Sequence, residues 1–192
     1  MNAQRPTPKQ SIPPDATKVF SGIIFDVYQW PQKLYNGQTA TFEQLRRPDS
    51  VNVIPITDEG KIILAKQEQP GMDPFIGAIS GRVDRGEKPE QAAKRELLEE
   101  GGLRAEQLLL WDATQIAEKL DWTVWTFIAK RCQQTNQQLE GGEKIQLIEV
   151  TFEEYIDLVT QDNYRDSEIA LKLLKLSRLE GELERVKRDW LG

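Results

Sequence analysis

The chain has 192 residues, enough for one domain with a sizeable core, and a net charge of −6 without any basic run, which argues against nucleic acid as a partner. It contains no histidine and a single cysteine, Cys132, so an imidazole base, a Ser-His triad, His-ligated zinc, internal disulfides and thiolate clusters are excluded. Carboxylates, lysines, arginines and bound metal ions are what remain for catalysis.

Pro6, Pro8, Pro13 and Pro14 among polar residues predict a flexible tail over 1–17. A β-prone stretch runs from Val19 to Tyr28, and a turn around Tyr35-Asn36-Gly37 leads to a second strand from Thr39 to Leu45. Together they suggest a small antiparallel unit over 18–48. Val51 to Thr57, the turn Asp58-Glu59-Gly60 and Lys61 to Lys66 predict a second hairpin, which opens a central domain over 49–160. Further on, Trp122 to Ala129 and Ile145 to Val150 read as strands, with Cys132 an ordinary small core or edge residue beside the first. Thr151 and Glu154 form a capping-box pattern that starts a helix through about Val159. In the last segment, 161–192, Ile169, Leu176, Leu183 and Trp190 stand seven apart in an amphipathic pattern from Ser167 to Trp190. That stripe is expected to pack on its own domain, and Gly181 interrupts it. No apolar run approaches membrane-spanning length and no signal pattern opens the chain, so a cytoplasmic protein without a membrane partner is expected.

The densest chemistry lies between the second hairpin and the late strands, in Gly81 to Leu103, GRVDRGEKPEQAAKRELLEEGGL. Pro89 suits a first helical position, Glu90 to Glu100 is rich in helix formers, and Gly101-Gly102 supplies a left-handed stop. On this helix Glu96, Glu99 and Glu100 stand three and four residues apart and crowd one face, while Ala93 and Leu97 fall on a face that can pack, with Leu98 within reach of the same core. A Glu-rich helix is usually a solvated face. Here the crowded carboxylates repel one another, and a hard divalent ion such as Mg²⁺ takes oxygen ligands of this kind. The preceding loop holds Gly81 and Gly86 and can bring backbone carbonyls to the same ion, while Glu87 and Arg95 are expected to pair and hold that loop to the helix.

The spacing G-x5-E-x7-R-E-U-x-E-E-x-G-U, with U aliphatic, resembles the signature of the Nudix hydrolases at every specified position. Upstream, Phe25-Asp26-Val27-Tyr28, Phe42-Glu43, Arg46-Arg47-Pro48 and Val51 resemble the N-terminal part of ADP-ribose pyrophosphatase-like members. Ile79-Ser80 stands where the family usually has Pro-Gly or Pro-Ala. The resemblance implies an α/β/α sandwich with a mixed β-sheet and an N-terminal antiparallel β extension that helps build a homodimer and contributes to the nucleotide site. It also implies that Glu96, Glu99 and Glu100 bind Mg²⁺, with Mn²⁺ as an alternative, that the Ser80 carbonyl completes the site, and that Glu143 arrives from a late loop. The expected activity is hydrolysis of the pyrophosphate bond of a small-molecule nucleotide, a nucleoside diphosphate linked to another group as in ADP-ribose or nucleotide sugars. The alternatives are a nucleotide-sensing module without hydrolysis and a nucleoside triphosphate pyrophosphohydrolase. Without histidine the base is a carboxylate or a metal-bound hydroxide, with Glu143 the first candidate and Glu99 the second, and Arg95 completes the candidate catalytic set. Arg46 and Arg47 are candidates to hold phosphate, against the alternative of a solvated pair, and Glu43 joins them on the substrate side. Trp30 and Trp122 could stack on a base, although tryptophans near strands are more often core.

Overall fold

The computed structural model describes residues 4–139, 142 and 144–192. At the N-terminal end, β1 (Thr17–Ser21), β2 (Asp26–Lys33) and β3 (Thr39–Arg46) form an antiparallel meander. The stretch expected as one strand from Val19 to Tyr28 is two, because the chain turns between them and the Gly22 N–H donates to the Phe25 carbonyl at 2.8 Å. The core follows with β4 (Ser50–Ile56), β5 (Ile62–Glu68), β6 (Phe75–Gly77), β7 (Ile79–Arg82), the helix α1 (Pro89–Glu99), β8 (Leu103–Ala117), β9 (Leu120–Gln134) and β10 (Lys144–Val150). Three helices close the chain: α2 (Phe152–Leu158), α3 (Ser167–Leu176) and α4 (Glu182–Leu191).

The sheet runs in the order β1-β2-β3-β9-β4-β5-β10, with β6 on β5, β7 on β4 and β8 on β9. It is mixed, since β9 runs parallel to both β3 and β4 while the other pairs are antiparallel. Alternation along the central strands sorts their side chains into two layers. Val51 and Val53 of β4, Ile63 of β5 and Trp125, Phe127 and Ala129 of β9 pack with Ala92, Ala93 and Leu97 of α1. Ile54, Ile56, Ile62, Leu64 and Ile128 belong to the other layer, with Phe152 and Tyr155 of α2, Ile169 and Leu173 of α3, and Val186 and Trp190 of α4. This is the expected sandwich, with α1 on one side and α2–α4 on the other.

Two differences from the sequence reading have physical causes. β8 was not anticipated, since LRAEQLLLWDATQIA is rich in helix formers and lacks clean alternation. Pairing with β9 overrides that preference along most of its length, with shifts in register at Leu110/Asp112 and Gln115/Ala117. The long C-terminal pattern is two helices, divided at Gly181, whose φ of 73° is left-handed. Leu176 and Leu183 nevertheless pack against the same core as Ile169 and Trp190, so the stripe serves its own domain. The Thr151 cap forms as expected: its hydroxyl accepts from Glu154 N–H at 3.2 Å while Glu154 Oε2 accepts from Thr151 N–H at 2.7 Å.

The proline-rich N-terminal stretch is tied to the sheet. Arg5 donates to both oxygens of Asp49 at 2.9 and 2.8 Å and reaches Asp121 Oδ1 at 2.8 Å. Asp49 also accepts from Thr123 N–H and Trp125 Nε1–H, and its carbonyl accepts from Val83 N–H at 2.8 Å, in the loop that precedes α1. Among the described residues no helix is long and apolar enough to cross a membrane.

Candidate active site

Helix α1 carries the site. Pro89 occupies its first turn as expected, and the helix stops at Gly102, whose φ is +57°. Gly101 is glycine for a different reason: an added Cβ would lie 2.5 Å from the Leu97 carbonyl oxygen and 2.7 Å from Ile79 Cδ1. The same close packing of α1 on β7 brings Glu96 beside Gly81, where an added Cβ would fall 1.8 Å from Glu96 Oε1. Gly81 therefore leaves the space that the Glu96 carboxylate fills.

Arg95 laces loop 82–87 to the helix. Its Nε and Nη2 each donate to Glu87 at 3.1 Å, and Nη2 also reaches the Arg82 carbonyl at 2.8 Å. The expected Arg95–Glu87 pair is thus present, and Arg95, helped by the Asp84 N–H, holds the Glu87 carboxyl below its ordinary pKa. Arg95 Nη1 additionally donates to Glu96 Oε1 at 2.6 Å and to Glu99 Oε2 at 3.1 Å, and Glu87 first, then Glu96 and Glu99, hold the guanidinium above its ordinary pKa. Glu100 faces the strand side, where its Oε2 accepts from Ser80 N–H at 3.0 Å.

The carboxylate set is all oxygen, the donor chemistry of a hard divalent ion. Among the described residues no three such groups stand arranged to cage an ion as they are. Arg95 draws Glu96 and Glu99 to its own Nη1, and Glu100 turns to Ser80. Glu143 lies outside the described residues. The chain leading toward it is pinned to the end of α1, with Thr135 N–H on the Gly102 carbonyl, Gln138 N–H on the Glu99 carbonyl and Gln137 Nε2 on the Glu100 carbonyl.

Two hollows meet at this face. The first, about 220 Å³, is walled by Gly81, Glu96, Glu99, Glu100, Arg95 and Gln138. The second, about 240 Å³, shares Ser80, Gly81, Arg82 and Glu100 with it and extends over Arg47, Trp122, Arg165 and Glu168. Arg47 stacks on Trp122 with its guanidinium carbon 4.4 Å from the ring centroid, and its Nε is buried without a partner among the described residues. Burial, and then the neighbouring Arg82 and Arg165, hold its pKa below the usual guanidinium value. Three cations therefore line the cleft.

Other sequence candidates go elsewhere within the chain. Arg46 bonds Asp121 Oδ2 at 2.8 Å and stacks over Tyr28, away from the cleft. Glu43 accepts from Gln29 Nε2 at 2.7 Å and lines a separate hollow on the meander. Trp30 is buried against Phe42, a core position, whereas Trp122 lines the cleft. Arg82, Arg165, Asn52, Asp166 and Glu168 were not singled out from sequence, and no spacing marks them, because they meet only through the sheet and the start of α3. Burial raises the pKa of Glu168, with Asp112 adding to the effect and Asn52 opposing it. Asp166 is pushed up to about 7, by burial first and then by Glu168, although it accepts from Ala78 N–H at 2.7 Å.

A family model described as the NUDIX domain matches residues 46–173. The chain is 33% identical over 157 residues to an ADP-ribose pyrophosphatase of Bacillus subtilis (strain 168), covering 80% of this chain and 85% of that protein. It is 32% identical over 166 residues to a methanol dehydrogenase activator of Bacillus methanolicus, covering 83% and 89%. Among solved structures, an ADP compounds hydrolase superposes with a TM-score of 0.70 at 23% identity, over 95% of this chain and 98% of that one, a likeness of fold.

Proposed function

The chain belongs to the Nudix family of pyrophosphohydrolases, and from that premise we propose that it cleaves the pyrophosphate bond of a nucleoside diphosphate joined to a second group, of the ADP-ribose or nucleotide-sugar type. The observation that carries this reading is the continuity of the two hollows. Ser80, Gly81, Arg82 and Glu100 wall both, so one ligand can reach the carboxylate face of α1 and the arginines together. The name of the Bacillus subtilis relative supports the same substrate class.

Nudix hydrolases generally use divalent metals, and the residues here suit Mg²⁺, with Mn²⁺ the alternative. Glu96, Glu99 and Glu100 with the Ser80 carbonyl would hold the ion, in a cradle that Gly81 keeps open for the Glu96 carboxylate. When bound, such an ion neutralises diphosphate oxygens and lowers the pKa of an attacking water. The protein supplies the rest. Arg95 positions Glu96 and Glu99 through one nitrogen while anchoring the loop through the other two. Arg47, Arg82 and Arg165 offer planar donors to phosphate oxygens. With no imidazole in the chain, a carboxylate takes the proton of the water: Glu143 first, and second Glu99, whose side chain is 41% exposed. The working unit is a homodimer joined through the N-terminal meander.

One experiment decides the substrate class. ADP-ribose, a sugar nucleotide, a dinucleotide and ATP are offered with Mg²⁺ and again with EDTA, and the products are resolved. Mononucleotide release from the first three, abolished by EDTA while the circular dichroism spectrum persists, is expected. Turnover of ATP alone would replace this reading with that of a triphosphate pyrophosphohydrolase, and full turnover in EDTA would remove the metal from it.

A further inference from the structure

The guanidinium of Arg47 rests on two neighbours. It lies over Trp122, and its Nη2 reaches Ser50 Oγ at 3.5 Å. Ser50 Oγ also accepts from Trp122 Nε1–H at 3.1 Å, so the two neighbours are fixed to each other. The backbone N–H of Arg47 donates to the Asp121 carbonyl at 3.3 Å. Ser50 directly follows Asp49, and Trp122 directly follows Asp121. Those two carboxylates are clamped by a single residue of the N-terminal stretch, Arg5.

The clamp is tight and largely out of water. Arg5 Nε and Nη2 fork onto Asp49, and the same Nη2 lies 2.8 Å from Asp121 Oδ1. The Asp49 and Asp121 side chains are only 17% and 10% exposed. Asp121 Oδ1 is buried and takes no hydrogen bond among the described residues, so the Arg5 charge is what compensates it. Burial works to raise the pKa of Asp49, and Arg5 first, then Thr123 N–H and Trp125, more than offset it. Without Arg5, two shielded carboxylates would repel each other, and each would turn toward water or take a proton. Side chains alternate along β9, so Asp121 points away from the cleft that Trp122 lines. Arg5 therefore braces the Arg47 support from behind. The tail does not depend on Arg5 for its own attachment, since the Gln10 carbonyl accepts from Gln44 Nε2 at 3.0 Å and Gln10 Oε1 from Lys119 Nζ at 2.9 Å.

We propose that Arg5 is a positioning residue for substrate binding: by clamping Asp49 and Asp121 it sets Ser50 and Trp122, and through them the Arg47 guanidinium. It touches no substrate and acts through Arg47. Its effect on turnover rests on the reading of Arg47 as a donor to phosphate, whereas its effect on the place of Arg47 does not. A planar, forked cation is needed here, because one group must satisfy both oxygens of Asp49 and still reach Asp121.

The test is a double-mutant cycle of Arg5→Ala with Arg47→Ala on the full chain. Steady-state kcat and KM for ADP-ribose in Mg²⁺ are measured well below the melting temperature of every variant. Arg5→Ala alone should raise KM about tenfold and leave kcat within about threefold, since Arg47 binds phosphate in ground and transition state alike. In the Arg47→Ala background the same change should raise KM by less than about twofold, because the residue it acts through is gone. Equal rises in both backgrounds, or no rise in either, overturn the proposal and leave the diphosphate activity standing. Arg5→Lys keeps one charge between the carboxylates but cannot fork, so its rise in KM should be smaller, and it carries the cycle if Arg5→Ala does not fold. A second readout needs no substrate. With 5-fluorotryptophan incorporated, the Trp122 fluorine resonance, identified by its loss in Trp122→Phe, should move in Arg5→Ala toward its position in Arg47→Ala. An unmoved resonance overturns the proposal whatever KM does. A moved resonance in a chain that hydrolyses no nucleotide upholds the positioning and removes the diphosphate reading.

Discussion

At the scale of single residues, the site depends on what small side chains leave room for. Gly81 has no left-handed φ to explain it, so its backbone would tolerate a side chain. Space alone forbids one, because Glu96 Oε1 and Cδ would lie 1.8 and 1.9 Å from the new Cβ. The displaced atoms are the end of a flexible side chain, so Gly81→Ala should fold with a Tm within a few degrees of the parent (about 1 kcal/mol or less). Its kcat should fall at least about tenfold, since the carboxylate must leave its place. A variant with normal kcat would show that the position of Glu96 is irrelevant to turnover. The glycine, the three glutamates and the Arg95–Glu87 pair were legible in sequence, as were their helix and its start at Pro89. Arg95 drawing Glu96 and Glu99 to one nitrogen was not, because spacing sets which side chains share a face and not which rotamers they choose. The fork in behaviour of Arg46 and Arg47 was equally hidden. Arg46 ends β3 and Arg47 lies just past it, and which of the two meets the cleft depends on β9 arriving beside them.

At the scale of elements, strong local signals survived into the structure and weak ones yielded to pairing. The Thr151 capping box and the hairpin at Asp58-Glu59-Gly60 are where sequence placed them, since each rests on residues within four positions. β8 was invisible because its partner, β9, and not its own composition makes it a strand. The start of α3 carries a consequence of such tertiary placement. Asp166 bonds Ala78 N–H from within the core, and an added Cβ on Gly77 would lie 2.9 Å from its Oδ2. Burial, and then Glu168, raise its pKa from 3.8 to about 7 in the folded chain, so folding favours its protonated form. Its contribution to stability is fully present below about pH 4, declines as pH rises toward about 7, and changes no further above that. Asp166→Asn keeps an oxygen for Ala78 N–H and does not titrate. Thermal melts at about pH 5 and about pH 8 should therefore show a smaller fall in Tm for the variant than for the parent. Equal falls would mean that Asp166 is ionised throughout, or that its burial is relieved.

At the scale of the whole molecule, the question is what covers the N-terminal meander. It joins the core sheet through the register pairs Leu45↔Leu120 and Arg46↔Asp121, and is braced there by Arg5 between Asp49 and Asp121. The β1–β2 turn, at the same end of the strands, is bare and apolar: Ile23 is 97% exposed and Phe20 59%, with Val19, Ile24 and Phe25 beside them. An apolar patch of this kind marks a contact surface. Phe25 also lies against the Arg47 guanidinium, 5.8 Å from the ring centroid, so whatever covers the patch touches the rim of the cleft. A second copy of the chain is the expected cover. Sedimentation equilibrium at micromolar concentration should give twice the chain mass of 22.0 kDa. Cutting away the whole meander would be a poor test, because it also removes Arg47 and the Arg46–Asp121 pair. Ile23→Glu instead places one charge in the middle of the patch and touches none of the Arg5, Arg46 or Arg47 hydrogen bonds. It should convert the dimer to a folded monomer, and kcat/KM should drop as the Phe25–Arg47 contact loses its support. A monomeric Ile23→Glu with unchanged kcat/KM would make the cleft self-sufficient and the dimer incidental to it. A parent chain that already sediments at 22.0 kDa and turns over substrate would leave the patch for some other partner.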